Sequence, residues 1–490
     1  MRLRRRTLLT SLAATAAAGG ALLRRPAAAH GGRPSKFLIT LGAFGGASII
    51  DAMLAISDSE VDAVTAETLN VFPREEVFGS ADYPFRAVDR TAAPFFGETY
   101  VSRQRPFVDA HHQDMLVVTQ TGTSVNHAVG QKRSITGNNA WNGRTLQEAV
   151  AMAYGEGKAL PNVTMGALGF REDGGDDQVP AWARAHSVDD PRRWPLSLDA
   201  LHGIDDAPTR DVLALARGVR DEQLDPHTKF TQTFLLSERL KAWKAMRADD
   251  VPRLEDAQLL QKLNFGLQDP LLPAFDPTDR AALEAAFGHL TVDPLQMQAA
   301  MAYLLIKHGL SVSVTLSPTW NVVTNNEATG DETRILNTPL SFDYSHTSHR
   351  ATQTMMWTRM LDTLDALVGL LDATEHPEDP GTSLFDHTVL YVATDFGRTK
   401  NRPANAAEFS TGHDLNNGNL LLSGSLLAGG TVLGGVDPTT GMTYGYDTTS
   451  GAPMPDTQMG ERTLYAGILD AMQVDTTGSG LPSVPAMRAG

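Results

Sequence analysis

Short apolar runs, each ending in glycine or a polar loop and separated by stretches of helical spacing, limit what this chain can fold into. Lys36 to Leu41 leads into Gly42-Ala43-Phe44-Gly45-Gly46, and Asp114 to Thr119 into Gly122-Thr123-Ser124-Val125-Asn126-His127. Thr388 to Thr394 leads into Asp395-Phe396-Gly397-Arg398. Val163 to Leu168, Leu310 to Leu316 and Gly418 to Leu427 are further strands, while Thr145 to Tyr154, Ser348 to Asp372 and Arg462 to Met472 read as helices. Apolar runs of this kind belong to buried strands, and strands alternating with helices form a sheet covered on both faces. The expectation is an α/β fold with a mostly parallel central sheet, its functional loops at the carboxyl ends of the strands.

The 490 residues suffice for one large domain, with a helical insertion or layer over about 200–308 that Pro208, Pro226 and Pro252 divide into separate helices. The Gly- and Thr-rich stretch Gly434 to Pro455 reads as a surface loop or hairpin. Residues 1–29 read as a signal peptide: Arg4-Arg5-Arg6-Thr7-Leu8-Leu9, a weakly apolar stretch to Leu23, then Arg24-Arg25-Pro26-Ala27-Ala28-Ala29. The paired arginines and the Ala-rich apolar region resemble a twin-arginine export signal. Its apolar run falls short of the roughly 20 residues a spanning helix needs. The mature chain, 30–490, is thus expected to be periplasmic or secreted, to have used the twin-arginine export machinery, and to carry no integral membrane segment.

Acidic residues outnumber basic ones, 57 to 41, for a formal charge of -16, so a polyanionic nucleic acid is not an expected partner. The absence of cysteine excludes disulfides, thiol nucleophiles and a formylglycine made from cysteine. No Gly-x-Ser-x-Gly elbow occurs, which removes support for a classical α/β-hydrolase.

Three polar clusters carry the candidate chemistry. Asp343-Tyr344-Ser345-His346-Thr347-Ser348-His349 sets a carboxylate and two imidazoles before a long helix, a donor set for a divalent ion. The alternative is that Asp343 or Ser348 caps that helix and the histidines are solvated. Asp395, ending an apolar strand, suits a metal ligand, and Arg398 suits an oxyanion, although a structural Asp–Arg pair has the same pattern. His413 and Asp414 add a further ligand pair, or a turn. Thr123 and Ser124 follow a strand and are candidate hydroxyl nucleophiles or cap residues. His111-His112 reads as the surface end of a helix.

The segments FDYSHTSH, LDTLDALVGLL, HTVLYVATDFGRT and GHDLNNGNLLLSGSLLAGGTVLGGVD resemble the C-terminal half of the exported bacterial family called domain of unknown function 1501. LITLGAFGGAS, MLVVTQTGTSVNH and NAWNGR resemble its N-terminal elements more loosely, so the likeness spans about 36–170 and 310–440. The resemblance implies the fold of the alkaline phosphatase and sulfatase superfamily, with Asp and His ligands around one or two divalent metals: zinc, calcium, magnesium or manganese. Asp343 with His346 or His349 then matches an Asp-x-x-x-His element, Asp395 an Asp-His element and His413 the last histidine. The chain departs from the pattern at Ser48, where the family has Asp, at Phe396, where active phosphatases have His, and at Asn126, where the family has Ser. Asp51 replaces the missing Asp only if the loop register differs.

The resulting expectation is a metal-dependent hydrolase of phosphate or sulfate esters, small or polymeric. Thr123, Ser124 and Arg398 are its catalytic candidates, Asp343, His346, His349, Asp395, His413 and Asp414 its metal ligands. His127, Asn126 and Arg144 are its binding residues. The alternative is a catalytically degenerate member that binds a ligand or an envelope partner.

Overall fold

The computed structural model describes residues 33–92, 99–166, 174–197, 210–234, 258–266, 274–317 and 341–490. An eight-stranded sheet forms its centre. In chain order its strands are β1 (Phe37–Ala43), β2 (Met115–Thr121), β3 (Asn162–Met165), β4 (His186–Val188), β5 (Ser313–Leu316), β6 (Thr388–Thr394), β7 (Asn416–Leu422) and β8 (Thr431–Leu433). They lie side by side as β8-β2-β7-β6-β1-β5-β3-β4. All neighbours are parallel except β7, which runs antiparallel to both β2 and β6. The α/β expectation therefore holds. The stretch expected as a strand over Gly418 to Leu427 begins two residues earlier and ends at Leu422.

Every residue of β1, β6 and β7 is buried, whichever face it points to, so both faces of the sheet are covered. One set of helices contains α2 (Leu146–Tyr154) and α5 (Glu461–Ala471), which pack on each other. A second set contains α3 (Pro294–Lys307) and α4 (His349–Asp372), also in mutual contact. Thr145 starts α2 through a capping box with Glu148, and Asp293 caps α3 just ahead of Pro294. α4 is buried on nearly all sides, and its Trp357 meets Phe342 edge-on at 5.6 Å.

Of the expected helical layer over 200–308, residues 198–209, 235–257 and 267–273 lie outside the described residues, as does the expected signal peptide. The Gly434 to Pro455 stretch forms three short antiparallel strands. Among the described residues no helix is long and apolar enough to cross a membrane.

The topology determines where loops meet. β1, β2, β5 and β6 are connected through parallel pairs or the intervening β7, with Ala43 beside Thr394 and Thr121 beside Asn416. Because β7 runs the other way, its first residue lies at the edge where β1, β2 and β6 end. Residues following three strands and preceding a fourth thus converge on one rim.

Candidate metal centre

Asp395, immediately after β6, has a fully buried carboxylate. It accepts the backbone N–H of Gly45 at 3.1 Å and of Gly46 at 2.9 Å, and it lies 2.8 Å from His127 Nδ1. The two glycines make this possible: their φ angles are +85° and +81°, and a Cβ on Gly45 would lie 2.2 Å from the Asp343 nitrogen.

His127 opens α1 (His127–Gln131), whose end is capped by Asn126 through Oδ1 and the Val129 N–H at 3.3 Å. Asp343 stands in a one-turn helix, Phe342–His346, anchored by the buried Phe342. His413 pairs with Arg398 in a short antiparallel ribbon, and Phe396 stacks on its ring at 4.1 Å. Phe396 therefore forms an apolar platform beneath a histidine.

Three imidazoles converge on one oxygen. Asp343 Oδ1 lies 3.3 Å from His127 Nε2, 3.2 Å from His346 Nε2 and 3.3 Å from His413 Nε2. His346 Nε2 and His413 Nε2 are 2.8 Å apart. The Nδ1 side of two rings is already assigned: His127 Nδ1 faces the Asp395 carboxylate, and His413 Nδ1 lies 2.9 Å from the Val125 carbonyl oxygen. Both partners only accept, so each Nδ1 carries a proton and Nε2 is the atom that each ring turns toward Asp343, where binding an ion needs its lone pair. Lone pairs facing a carboxylate oxygen require a proton or a cation between them. Tetrahedral zinc, with bonds of roughly 2.0–2.1 Å, places its donor atoms about 3.3 Å apart, the distance of both His127 Nε2 and His413 Nε2 from Asp343 Oδ1, so these three residues fit a divalent ion. His127, Asp343 and His413 together have one donor atom each within 4.8 Å of the others.

The charges agree. Burial opposes protonation of His127, but its hydrogen bonds to Asp343 and Asp395 outweigh that and push the ring up to about 9. Burial also works against ionised Asp343, yet His127 and Arg398 hold its carboxyl well below the usual range. Burial, then Arg398, pushes His346 down from its ordinary value.

Arg398 is not an oxyanion clamp. It is buried, with Nε donating to the Gly45 carbonyl at 2.9 Å, Nη1 to the Thr411 carbonyl at 3.3 Å and Nη2 to Asp343 Oδ1 at 2.8 Å. Nη2 also donates to the carbonyls of Gly45 and Phe342. Its role is to hold Asp343 and the glycine loop in place.

The structure brings Asp343, His346 and His413 together and adds His127, which the sequence suggested only as a binding residue. Asp395 stands behind His127 and orients its imidazole through Nδ1. His349 is elsewhere: fully buried, its Nε2 is 3.0 Å from Asp51 Oδ2. Asp414 accepts the Asn416 N–H at 2.7 Å, and alternation along the ribbon turns it away from the His413 side. Neither Asp343 nor Ser348 caps α4; Glu408 does, accepting the N–H groups of Arg350 and Ala351.

Thr123 Oγ1 is 3.1 Å from Glu461 Oε2 and accepts from Arg133 at 2.8 Å, while Ser124 Oγ accepts the Asn126 N–H at 3.1 Å. Arg144 is paired with Asp176 at 2.8 Å and lies over the Trp141 ring. His111 ends the helix Gln104–His111, 2.7 Å from Asp365. The buried Asp51–His349 pair was missed. The available signal was Asp51 itself, a lone charge within an apolar stretch, which needs a partner when buried.

No family model and no curated protein sequence matches the chain. Among solved structures, Ps i-CgsB in complex with k-i-k-neocarrahexaose is similar at a TM-score of 0.32 and 10% identity, over 92% of this chain and 75% of that one. The lipoteichoic acid synthase LtaP from Listeria monocytogenes is similar at a TM-score of 0.31 and 8% identity, over 93% of this chain and 76% of that one. Both likenesses are distant.

Proposed function

We propose that this chain is an exported, metal-dependent hydrolase of phosphate or sulfate esters, related to the domain of unknown function 1501 family and to the alkaline phosphatase-like superfamily. Export rests on the Arg4 to Ala29 pattern, and the family on the motifs around Asp343, Asp395 and His413. The observation that carries the chemistry is the convergence of three imidazole Nε2 atoms on Asp343 Oδ1, with two rings already oriented through Nδ1.

A divalent ion held there supplies Lewis-acid polarisation of a phosphoryl or sulfuryl oxygen. The chain's own residues do the rest. Asp395 fixes the His127 tautomer, and Arg398 fixes the Asp343 carboxylate. His346, with 45% of its side chain exposed, stands at the solvent side of the cluster, 3.2 Å from Asp343 Oδ1. With Thr123 turned to Glu461 and Ser124 to the loop backbone, the attacking group is water.

The test is elemental analysis of the chelator-free protein, followed by aryl phosphate monoester, diester and sulfate substrates before and after chelation. Bound metal and hydrolysis that chelation abolishes, undiminished in a Thr123→Val/Ser124→Ala variant, are the expected results. A folded, metal-free and inert protein overturns the proposal. A second reading, a ligand-binding protein without turnover, is favoured by the engagement of Arg398 with backbone carbonyls. Metal occupancy without hydrolysis of any of these esters decides for it.

A further inference from the structure

Behind the centre lies a buried polar chain that touches none of the converging donor atoms. Asp51, Asn70, His349 and Thr411 are each at most 3% exposed. Asn70 Nδ2 donates to both Asp51 oxygens at 3.0 Å, and His349 Nε2 lies 3.0 Å from Asp51 Oδ2. With Nε2 directed at the carboxylate, Nδ1 is the ring atom left for the opposite side. That atom is 2.9 Å from Thr411 Oγ1, and the two share a hydrogen bond.

Thr411 links the loops that bear the ligands. Its N–H donates to the Ser345 carbonyl at 2.9 Å, next to His346. Its carbonyl accepts from Arg398, the residue that holds Asp343, and His413 follows two residues later. One hydroxyl therefore sets the orientation of a backbone shared by the pieces carrying Asp343, His346 and His413. The hydroxyl is buried between His349 Nδ1 and the Ser345 carbonyl oxygen, 3.4 Å away, so it ties the His349 ring to the segment before His346, and leaving such a buried group unpaired costs about 1–3 kcal/mol.

We propose that Thr411, held by the Asp51–His349 pair, is a positioning residue for the metal centre. This inference rests on the metal reading above and adds a role for residues outside the ligand set. The experiment compares wild type, Thr411→Val and Thr411→Ser by calorimetric zinc titration of the full chain. A parallel measurement on metal-free protein maps the rate at which diethyl pyrocarbonate modifies His346 and His413.

Thr411→Val, close to isosteric but without the hydroxyl, is expected to weaken zinc binding about 10–100-fold, in the range seen when outer-shell partners are lost. It is also expected to speed modification of His346 or His413 several-fold, and Thr411→Ser to restore both. Zinc affinity and histidine reactivity equal to wild type in folded Thr411→Val overturn the inference. If wild type binds no zinc, the metal reading fails, and the histidine reactivities alone decide the positioning role. Should Thr411→Val not fold, Thr411→Ala is measured the same way against Thr411→Ser.

Discussion

His127 Nδ1 and Asp395 Oδ2 lie 2.8 Å apart although 268 residues separate them in sequence. The same carboxylate accepts from the backbone of Gly45 and Gly46, so one buried side chain ties the loops after β1, β2 and β6 together. Asp395→Asn keeps the shape but turns a donor or a weaker acceptor toward His127 and the glycine amides. Metal affinity should fall about 10–100-fold while the protein still folds. Unchanged affinity in a calorimetric titration would show that His127 needs no support from Asp395.

Asp343→Ala should do more. It removes the oxygen that the three imidazoles face and also the carboxylate partner of buried Arg398. Stranding one half of a buried ion pair costs about 3–5 kcal/mol; Asp343 keeps a quarter of its side chain exposed, so the lower end or less applies here. Metal binding should be lost and the melting temperature should drop. A variant that melts like wild type and still binds metal would remove Asp343 from the centre.

The raised pKa of His127 makes metal uptake compete with a proton. In the metal-free fold, the stabilisation from protonated His127 is fully present below its unfolded value of about 6.5. It is lost as pH rises through about 9, the folded value. A ligand nitrogen must be unprotonated, so apparent affinity should rise about tenfold per pH unit from neutral pH and level off above that folded value. Titrations in buffers of different ionisation enthalpy should find about one proton released per ion at neutral pH. A pH-independent affinity would exclude His127 as a ligand.

A second histidine site predicts acid sensitivity of the fold. His376 donates through Nε2 to the Ser35 carbonyl at 3.0 Å, and its Nδ1 accepts the Glu378 N–H at 3.1 Å, so the neutral ring is fully bonded. Burial, then the neighbouring His387, lowers its pKa, and burial lowers that of His387 as well. For a depressed pKa the stabilisation is complete above the unfolded value, about 6.5, and is lost as pH falls through the folded value. The denaturant midpoint should therefore fall as pH drops from about 7.5 to 5.5, and fall less in His376→Gln. An equal fall in the variant would place the acid sensitivity elsewhere.

The strand-and-loop rhythm was enough to read an α/β sheet, the places of β1, β2 and β6, and the extent of α4, because burial on both faces imposes an unbroken apolar pattern. It did not reveal that β7 runs antiparallel, since a buried strand has the same composition in either direction. Likewise Asp343, His346 and His413 were legible as donors from residue type and from their place beside strands or helices.

Which histidine meets which carboxylate was decided only in three dimensions. His346 and His349 stand three residues apart with the same chemistry, yet one joins the cluster and the other pairs with Asp51 inside the core. Arg398 carries the charge for an oxyanion but meets backbone carbonyls instead. Residue type and order determined which groups reach the rim of the sheet. Their roles came from partners hundreds of residues distant, because hydrogen bonds and ion pairs act over a few ångströms and only the folded chain brings those atoms within reach.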